Sequence, residues 1–461
     1  MASNILFLFF LILSSFLLFI LTGILFNRIG LYALLFERAA PILLLGFLLS
    51  IEILVFQYFL IQKEIVKTTW LPLKENYLKP NGRDARLDFL RGLFVAIMIV
   101  DHIGGRSILY SITFGNAFFT SAAEGFFLVS GIVTGMVYFK IIQQKGMGSA
   151  IRKSASRLLS LYLISISLSM CILFFGNLFG IWHTDGIDMA RPILPLLNLL
   201  TFRTIYPLGE ILIVYCVMFV LLPYVLILLE SNKTIWLIGI SSILYLANIL
   251  FPNELLIPID TYVKISGVQF IFIGGVIIGY HKILEKIQKK INARWLIITG
   301  LSFLFLILFW HYTRDQSIFP YLQLSDQTFT HLNNFFSKRT IAPGRILASL
   351  IVFGFLYIFL TRYWDKVIKV LGWLILPLGE NALFAYTLHV ILQGTEIFSV
   401  GAPEIPAYWT SGFLQVVSLL IIWVFIKKQW FTPKPQNRRL YYSLPVIIIL
   451  IILTTEAIIH G

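Results

Sequence analysis

Apolar runs of about 20 residues alternate with short polar connections along the whole chain of 461 residues. A helix of that length crosses the roughly 30 Å hydrocarbon core of a membrane. The pattern predicts about thirteen such helices. They lie near residues 4–26, 39–61, 87–112, 117–139, 155–179, 207–229, 234–252, 265–284, 294–312, 344–362, 370–395, 409–427 and 441–460. We therefore expect an all-α polytopic membrane protein.

The composition agrees with this fold class. Hydrophobic residues make up 58% of the chain and charged residues only 13%, whereas soluble domains carry about 25% charged residues. The two cysteines, Cys171 and Cys216, lie in apolar runs and form no disulfide or metal-ligand pattern. We therefore expect buried thiols, no metal site and no permanently bound cofactor.

Basic residues are concentrated in every second connection between the predicted helices. The clusters lie at 63–86, 140–153, 282–294, 362–369 and 427–439. Short loops rich in Lys and Arg stay in the cytoplasm, so the net charge of +14 gives no reason to expect nucleic acid as a partner. The distribution predicts a multi-pass inner (plasma) membrane protein with a cytoplasmic N-terminus and an extracytoplasmic C-terminus.

The spacing of the apolar runs also predicts the domain organisation. A ten-helix core at 86–427 is preceded by a two-helix membrane addition at 1–62 and a basic cytoplasmic linker at 63–85. A C-terminal transmembrane helix follows at 428–461. The run 4–26 has no basic residue ahead of it and no cleavage site behind it, so we expect a retained helix rather than a signal peptide.

The candidate chemistry lies in the segment RLDFLRGLFVAIMIVDHIGG, residues 86–105. Arg91 and His102 are eleven residues apart, which on a helix is close to three full turns and about 16 Å of rise. An ionisable residue inside a membrane span costs about 2.5–3.5 kcal/mol by insertion scales. The pair therefore predicts a site that binds an anion at Arg91 and transfers protons at His102. Asp88 is three residues from Arg91 and can pair with it.

The next predicted helix carries Glu124, at a depth comparable to that of His102 if the chain turns near residues 115–116. A carboxylate beside an imidazole fixes its tautomer and raises its basicity, which suits a histidine that removes a proton from a hydroxyl group. The alternative is that Glu124 and His102 only satisfy each other structurally. Asp101 points away from the face of its neighbour His102, so it contacts another element or has a structural role.

Other polar residues complete the set of candidates. Arg152 and Arg157 belong to a basic run that can bind phosphates, although topological charge explains most of its lysines. Arg157 lies at the start of a predicted span, where a charge is costly. Supporting candidates are Ser130 in FFLVSG, and Glu380 and His389 in LGENALFAYTLHVIL.

The segment Arg91-x10-His102, followed by GFFLVSG at 125–131, resembles the signature of the transmembrane acyltransferase superfamily. The run 86–102 is most similar to the OpgC-type branch, the osmoregulated periplasmic glucan succinyltransferases. Weaker matches follow at 152–163, 206–223 and 378–389, and the similarity covers about residues 84–427.

The resemblance implies a membrane O-acyltransferase. Such an enzyme moves an acyl group, acetyl or succinyl, from cytoplasmic acyl-CoA to a hydroxyl of an extracytoplasmic glycan or lipid-linked sugar. By similarity His102 is the catalytic residue and Arg91 contacts the donor. A basic vestibule suits polyanionic coenzyme A, and the imidazole can either activate the sugar hydroxyl or carry the acyl group itself. The expected partners are acyl-CoA, the acceptor and membrane lipids; the sequence assigns no oligomeric state.

Two other classes of protein remain. A transporter or flippase for a glycan or an anionic solute also contains buried charges, and interrupted helices in matched halves would favour it. A polytopic glycosyltransferase using a lipid-phosphate sugar would need an acidic residue in its first large outer loop. Residues 104–117 contain no acidic residue, which argues against this third class.

Overall fold

The computed structural model describes residues 77–79, 83–179, 198–202, 210–251, 264–288, 293–314, 325–393 and 407–429. The predicted N-terminal helices, most of the linker and the last predicted helix lie outside the described residues. Within these residues the chain is helical, and a single β-bridge pairs Leu78 with Asp84. The fold class predicted from the apolar pattern therefore agrees with the described part of the chain.

The helices that the structure describes are numbered in chain order. They are α1 (Ala85–His102), α2 (Ile108–Ile112), α3 (Ala122–Lys145), α4 (Met147–Phe179), α5 (Glu210–Glu230), α6 (Thr234–Leu250), α7 (Ile265–Tyr280), α8 (Ile283–Gln288), α9 (Ala293–Arg314), α10 (Asp326–Phe335), α11 (Pro343–Glu380), α12 (Ala382–Gln393) and α13 (Ala407–Lys427).

Five of the described helices are long and apolar enough to cross a membrane. They are α3, α5, Arg294–Thr313 of α9, α11, and Trp409–Lys427 of α13. Shorter apolar helices are α6, α7 and α12. These helices support a membrane protein, while the total of about thirteen spans and the orientation of the termini stay predictions.

The chain forms two compact units. One contains Met1–Glu75, Gln288–Ser337 and Pro343–Arg362, and in its described part the ring of Phe303 on α9 stacks on Phe355 of α11 at 5.1 Å. The other contains Asn76–Ile287, Lys338–Ala342 and Tyr363–Gly461. All the described candidate site residues belong to this second unit.

A close crossing of α3 and α7 forms the centre of the second unit. Gly131 and Gly135 of α3 lie against Gly275 and Gly279 of α7. A Cβ atom at Gly131 would lie 2.3 Å from the Phe272 carbonyl oxygen, so no larger residue fits without moving the helices. Paired glycines four residues apart are typical of membrane helices whose backbones touch. The crossing fixes α3, which carries the GFFLVSG segment.

Two runs that were each predicted as one helix are interrupted in the structure. The run 87–112 is not one helix, because α1 ends at His102 and α2 begins at Ile108. Gly104 has a φ of 82°, a left-handed conformation that favours glycine and cannot continue a helix. The run 370–395 is also divided, because α11 ends at Glu380 and α12 begins at Ala382, so Glu380 and His389 lie on successive helices. The predicted separation of 344–362 from 370–395 corresponds to a kink in α11 at Tyr363, whose backbone is not helical (φ −112°, ψ 21°).

Candidate active site

The start of α1 is fixed to the end of the linker. The Asp84 side chain caps the helix by accepting a hydrogen bond from the Arg86 backbone N–H at 2.9 Å. The Arg86 guanidinium donates to the same carboxylate at 2.7 and 3.0 Å and lies 3.6 Å above the Tyr77 ring. Arg86 is only 1% exposed. This buried contact holds Tyr77 and Asp84 against the first turn of α1.

A second set of contacts, the linker cluster, consists of Lys79, Arg83, Asp88 and Glu380. The Asp88 carboxylate accepts hydrogen bonds from Lys79 at 3.0 Å and from Arg83. Lys79 also pairs with Glu380 at 2.6 Å. Burial lowers the pKa of Lys79, but its hydrogen bonds to Glu380 and Asp88 outweigh this effect and raise the pKa overall. Asp88 therefore pairs with linker cations, where the sequence predicted a pair with Arg91.

Arg91 lines a cavity of about 280 Å³ between α1, α3, α4, α5 and α12. Lys153 and Arg157 of α4 supply two more cations, and Ser130 of α3 a hydroxyl group. The other lining residues are apolar, aromatic or hydroxyl-bearing: Phe126, Val133, Thr134, Val137, Tyr138, Leu161, Ile211, Leu212, Tyr215, Phe219, Leu383 and Tyr386. None of these residues carries a carboxylate. We call this space the cationic cavity.

The Arg91 side chain has unused hydrogen-bonding capacity. Its Nε atom is buried and has no hydrogen-bond partner in the described part of the chain. A buried donor without a partner costs about 1–3 kcal/mol, and more when it is charged. An anion in the cationic cavity would supply the missing acceptor. The predicted donor-binding residues were Arg91, Asp88, Arg152 and Arg157, and of these Arg91 and Arg157 line this cavity. Asp88 belongs to the linker cluster, and Arg152 donates to the Ser149 hydroxyl at 3.3 Å.

Glycines of the GFFLVSG segment explain how the cavity is positioned. A Cβ atom at Gly125 would lie 2.4 Å from the Phe94 ring of α1, so this glycine seats α1 against α3. Gly131 seats α3 against α7 in the same way. Ser130 lies between these contacts and faces the cavity. The motif therefore fixes α3 by close packing on both sides and presents one hydroxyl group to the site.

At the other end of α1, His102 contacts His389 of α12. The Nδ1 atom of His102 lies 3.1 Å from the Nε2 atom of His389, and the ring centroids are 5.1 Å apart. His389 is 1% exposed, whereas His102 is only partly buried. The ring of Tyr386, which lines the cationic cavity, lies 5.7 Å from that of His389. This histidine pair therefore joins one partly exposed imidazole to one that is almost fully buried.

Glu124 is buried at the start of α3, where it completes a capping box with Ser121. Its Oε2 atom accepts hydrogen bonds from the Ser121 backbone N–H at 2.8 Å and from the Ser121 hydroxyl. The pairing of Glu124 with His102 stays a prediction. Asp101 accepts a hydrogen bond from the Thr113 hydroxyl at 2.6 Å, across the break between α1 and α2.

Sequence reasoning did not identify several of these contacts. It treated Lys153 as topological charge and did not pair His389 with His102, although it selected His389 as an intramembrane histidine.

Within the described residues, no group of three His, Cys, Asp or Glu side chains is placed to hold a metal ion.

A family model described as OpgC protein matches residues 83–431, which is most of the chain. No curated protein and no solved structure matches the chain. The matched region begins just before α1 and ends just after α13, so it contains both the cationic cavity and the histidine pair.

Proposed function

Because the chain belongs to the OpgC family, we propose that it is an acyl-CoA-dependent O-acyltransferase of the cell envelope. It transfers an acyl group, acetyl or succinyl, to a hydroxyl group of an extracytoplasmic glycan or lipid-linked sugar. The observation that carries the proposal is the arrangement of α1, which has the cationic cavity around Arg91 and the histidine pair around His102.

The cationic cavity suits the phosphates of coenzyme A. Arginine binds phosphate oxygens in a bidentate manner, and Arg91 has a buried Nε atom without a partner. Lys153 and Arg157 add positive charge, and the apolar walls suit the uncharged pantetheine arm. Along the helix, Arg91 and His102 are separated by about 16 Å, close to the length of that arm when extended. A donor whose phosphates bind at Arg91 would therefore present its thioester near His102.

The histidine pair supports general base catalysis. When the Nδ1–H of His102 donates to His389, the Nε2 atom of His102 keeps its lone pair and can accept a proton. His102 then removes the proton of the acceptor hydroxyl as its oxygen attacks the thioester carbonyl carbon. A C–O bond forms, the C–S bond breaks, and the imidazolium returns the proton to the coenzyme A sulfur. The products are the acylated glycan and free coenzyme A.

The experiment uses the full chain purified and reconstituted in liposomes. Labelled acetyl-CoA and succinyl-CoA are supplied with a glucose oligosaccharide, and both thiol release and transfer of label to the sugar are measured. His102→Ala is expected to lower transfer by about 100- to 10,000-fold while coenzyme A binding persists. His311→Ala removes an exposed histidine of α9 and serves as the control.

The outcomes separate the candidate functions. Normal transfer by His102→Ala would defeat the assignment of this residue. Movement of the oligosaccharide across the bilayer without consumption of thioester would instead support a transporter. Label transfer from only one of the two donors would identify the acyl group.

A further inference from the structure

Gln415 of α13 binds the end of α1 at the point where that helix stops. Its side-chain N–H groups point to three carbonyl oxygens, those of Val100 at 3.1 Å, Ile103 at 3.0 Å and Gly105 at 3.0 Å. Its own carbonyl oxygen accepts a hydrogen bond from the Ser107 hydroxyl at 2.5 Å. Gln415 and Ser107 are both fully buried. One side chain thus connects four positions of the segment 100–107.

These contacts provide hydrogen-bond donors for carbonyl groups in the last turn of α1, at Val100, and just beyond its end, at Ile103 and Gly105. The last carbonyl groups of a helix have no partner within it, and leaving them buried without a partner destabilises the fold. The chain also turns away at Gly104, where a Cβ atom would lie 3.1 Å from Ser411 of α13. This glycine allows α13 to approach closely enough for Gln415 to reach the carbonyl groups.

His102 lies between two of the residues that Gln415 holds. The carbonyl groups of Val100 and Ile103 flank it in sequence, and both accept hydrogen bonds from the same amide. His102 is the last residue of α1, so the helix alone does not fix its backbone on both sides. The position of the imidazole relative to His389 on α12 therefore depends on the anchored end of α1.

We propose that Gln415 is a positioning residue for His102, which it reaches through the α1 backbone. This inference rests on the proposed function. Without the amide, the end of α1 loses its partners and the imidazole moves relative to the histidine pair and the thioester. A displacement of about 1 Å in an active site can lower a rate by about 100-fold. Donor binding at Arg91 is unaffected, because that residue lies about three turns away on α1.

The test compares Gln415→Leu and Gln415→Glu with a matched control on the same helix. Ser418→Ala removes a hydroxyl group that is fully buried and has no hydrogen-bond partner within the described chain. Rates of acyl transfer are expressed per mole of sites that bind coenzyme A, so a loss of folded protein does not count as a loss of activity. The Gln415 variants are expected to lower kcat by about 10- to 100-fold with KM for the acyl donor unchanged, whereas Ser418→Ala keeps both values.

A milder variant keeps the inference testable if the Gln415 variants do not fold. Ser107→Ala removes the hydrogen bond to the Gln415 carbonyl oxygen and also the cap of α2, in which the Ser107 hydroxyl accepts from the Tyr110 backbone N–H at 3.0 Å. It leaves the three Gln415 contacts to α1 and its end in place, and it is expected to lower kcat several-fold with KM unchanged. If the Gln415 variants fold, kcat values equal to that of Ser418→Ala would overturn the inference. If they do not fold, a kcat of Ser107→Ala equal to that of the wild type would overturn it. A wild-type protein that transfers no acyl group from either donor would instead refute the proposed function.

Discussion

The α3–α7 crossing predicts that Gly279→Ala destabilises the protein, whereas Gly274→Ala on the same helix does not. A Cβ atom at Gly279 would lie 2.0 Å from the Ile132 carbonyl oxygen, about 1.4 Å short of the 3.4 Å at which ordinary contact begins. This oxygen belongs to the backbone of α3 and cannot rotate away. At Gly274, nothing lies within 4 Å of the added atom.

The magnitude follows from two opposing effects. Overpacking a close contact costs about 1–3 kcal/mol, while alanine gains about 0.5–1 kcal/mol over glycine inside a helix. The net effect at Gly279 is a loss of about 1–2 kcal/mol, and Gly274→Ala gains about 0.4–1 kcal/mol. The free energies of unfolding of the two variants should therefore differ by about 2 kcal/mol.

Unfolding in mixed detergent micelles, followed by tryptophan fluorescence while the denaturing detergent is increased, measures this difference. The wild type and both variants are compared at one protein concentration. Equal midpoints for Gly279→Ala and Gly274→Ala would show that the helices separate at no cost, and the argument for a backbone contact would fail.

Two further predictions concern the site. Arg91→Met should raise KM for succinyl-CoA about tenfold or more, because the anionic donor loses a charged, buried hydrogen-bond donor. Steady-state kinetics measure this change. Lys427→Met replaces an exposed lysine and is the control that keeps KM. His389→Asn should lower kcat about 10- to 100-fold with coenzyme A binding retained, because the partner at 3.1 Å from His102 is lost. An unchanged rate constant for acyl transfer in single-turnover measurements on this variant would show that His102 works without His389.

Local patterns were sufficient to predict the helices and one part of the chemistry. The predicted runs 207–229 and 409–427 agree with α5 and α13 within a few residues. The eleven-residue spacing placed Arg91 and His102 on one helix, which α1 confirms. The break after His102 was missed because apolar residues resume at Ile108, although Gly104, Gly105 and Arg106 interrupt the run before it.

Contacts between distant segments could not be predicted in the same way. His389 is 287 residues from His102, Gln415 is 315 residues from Val100, and Glu380 is 301 residues from Lys79. Sequence reasoning selected His389 and Glu380 as polar residues in or next to an apolar run without naming their partners, and it did not select Gln415. Asp88 shows the same limit, since Arg91, three residues away, was expected as its partner, whereas Lys79 and Arg83 of the linker pair with it.

The sequence by itself determined that this is a helical membrane protein and that one helix carries an arginine and a histidine about three turns apart. Hydrophobicity and helical periodicity are local properties, so they can be read from a single segment. Only the tertiary structure decided which helices are neighbours, and with that the cationic cavity, the histidine pair and the amide that holds the end of α1. The physical reason is that apolar helix faces are nearly interchangeable as partners in a membrane, where close packing and a few buried hydrogen bonds select the pairs.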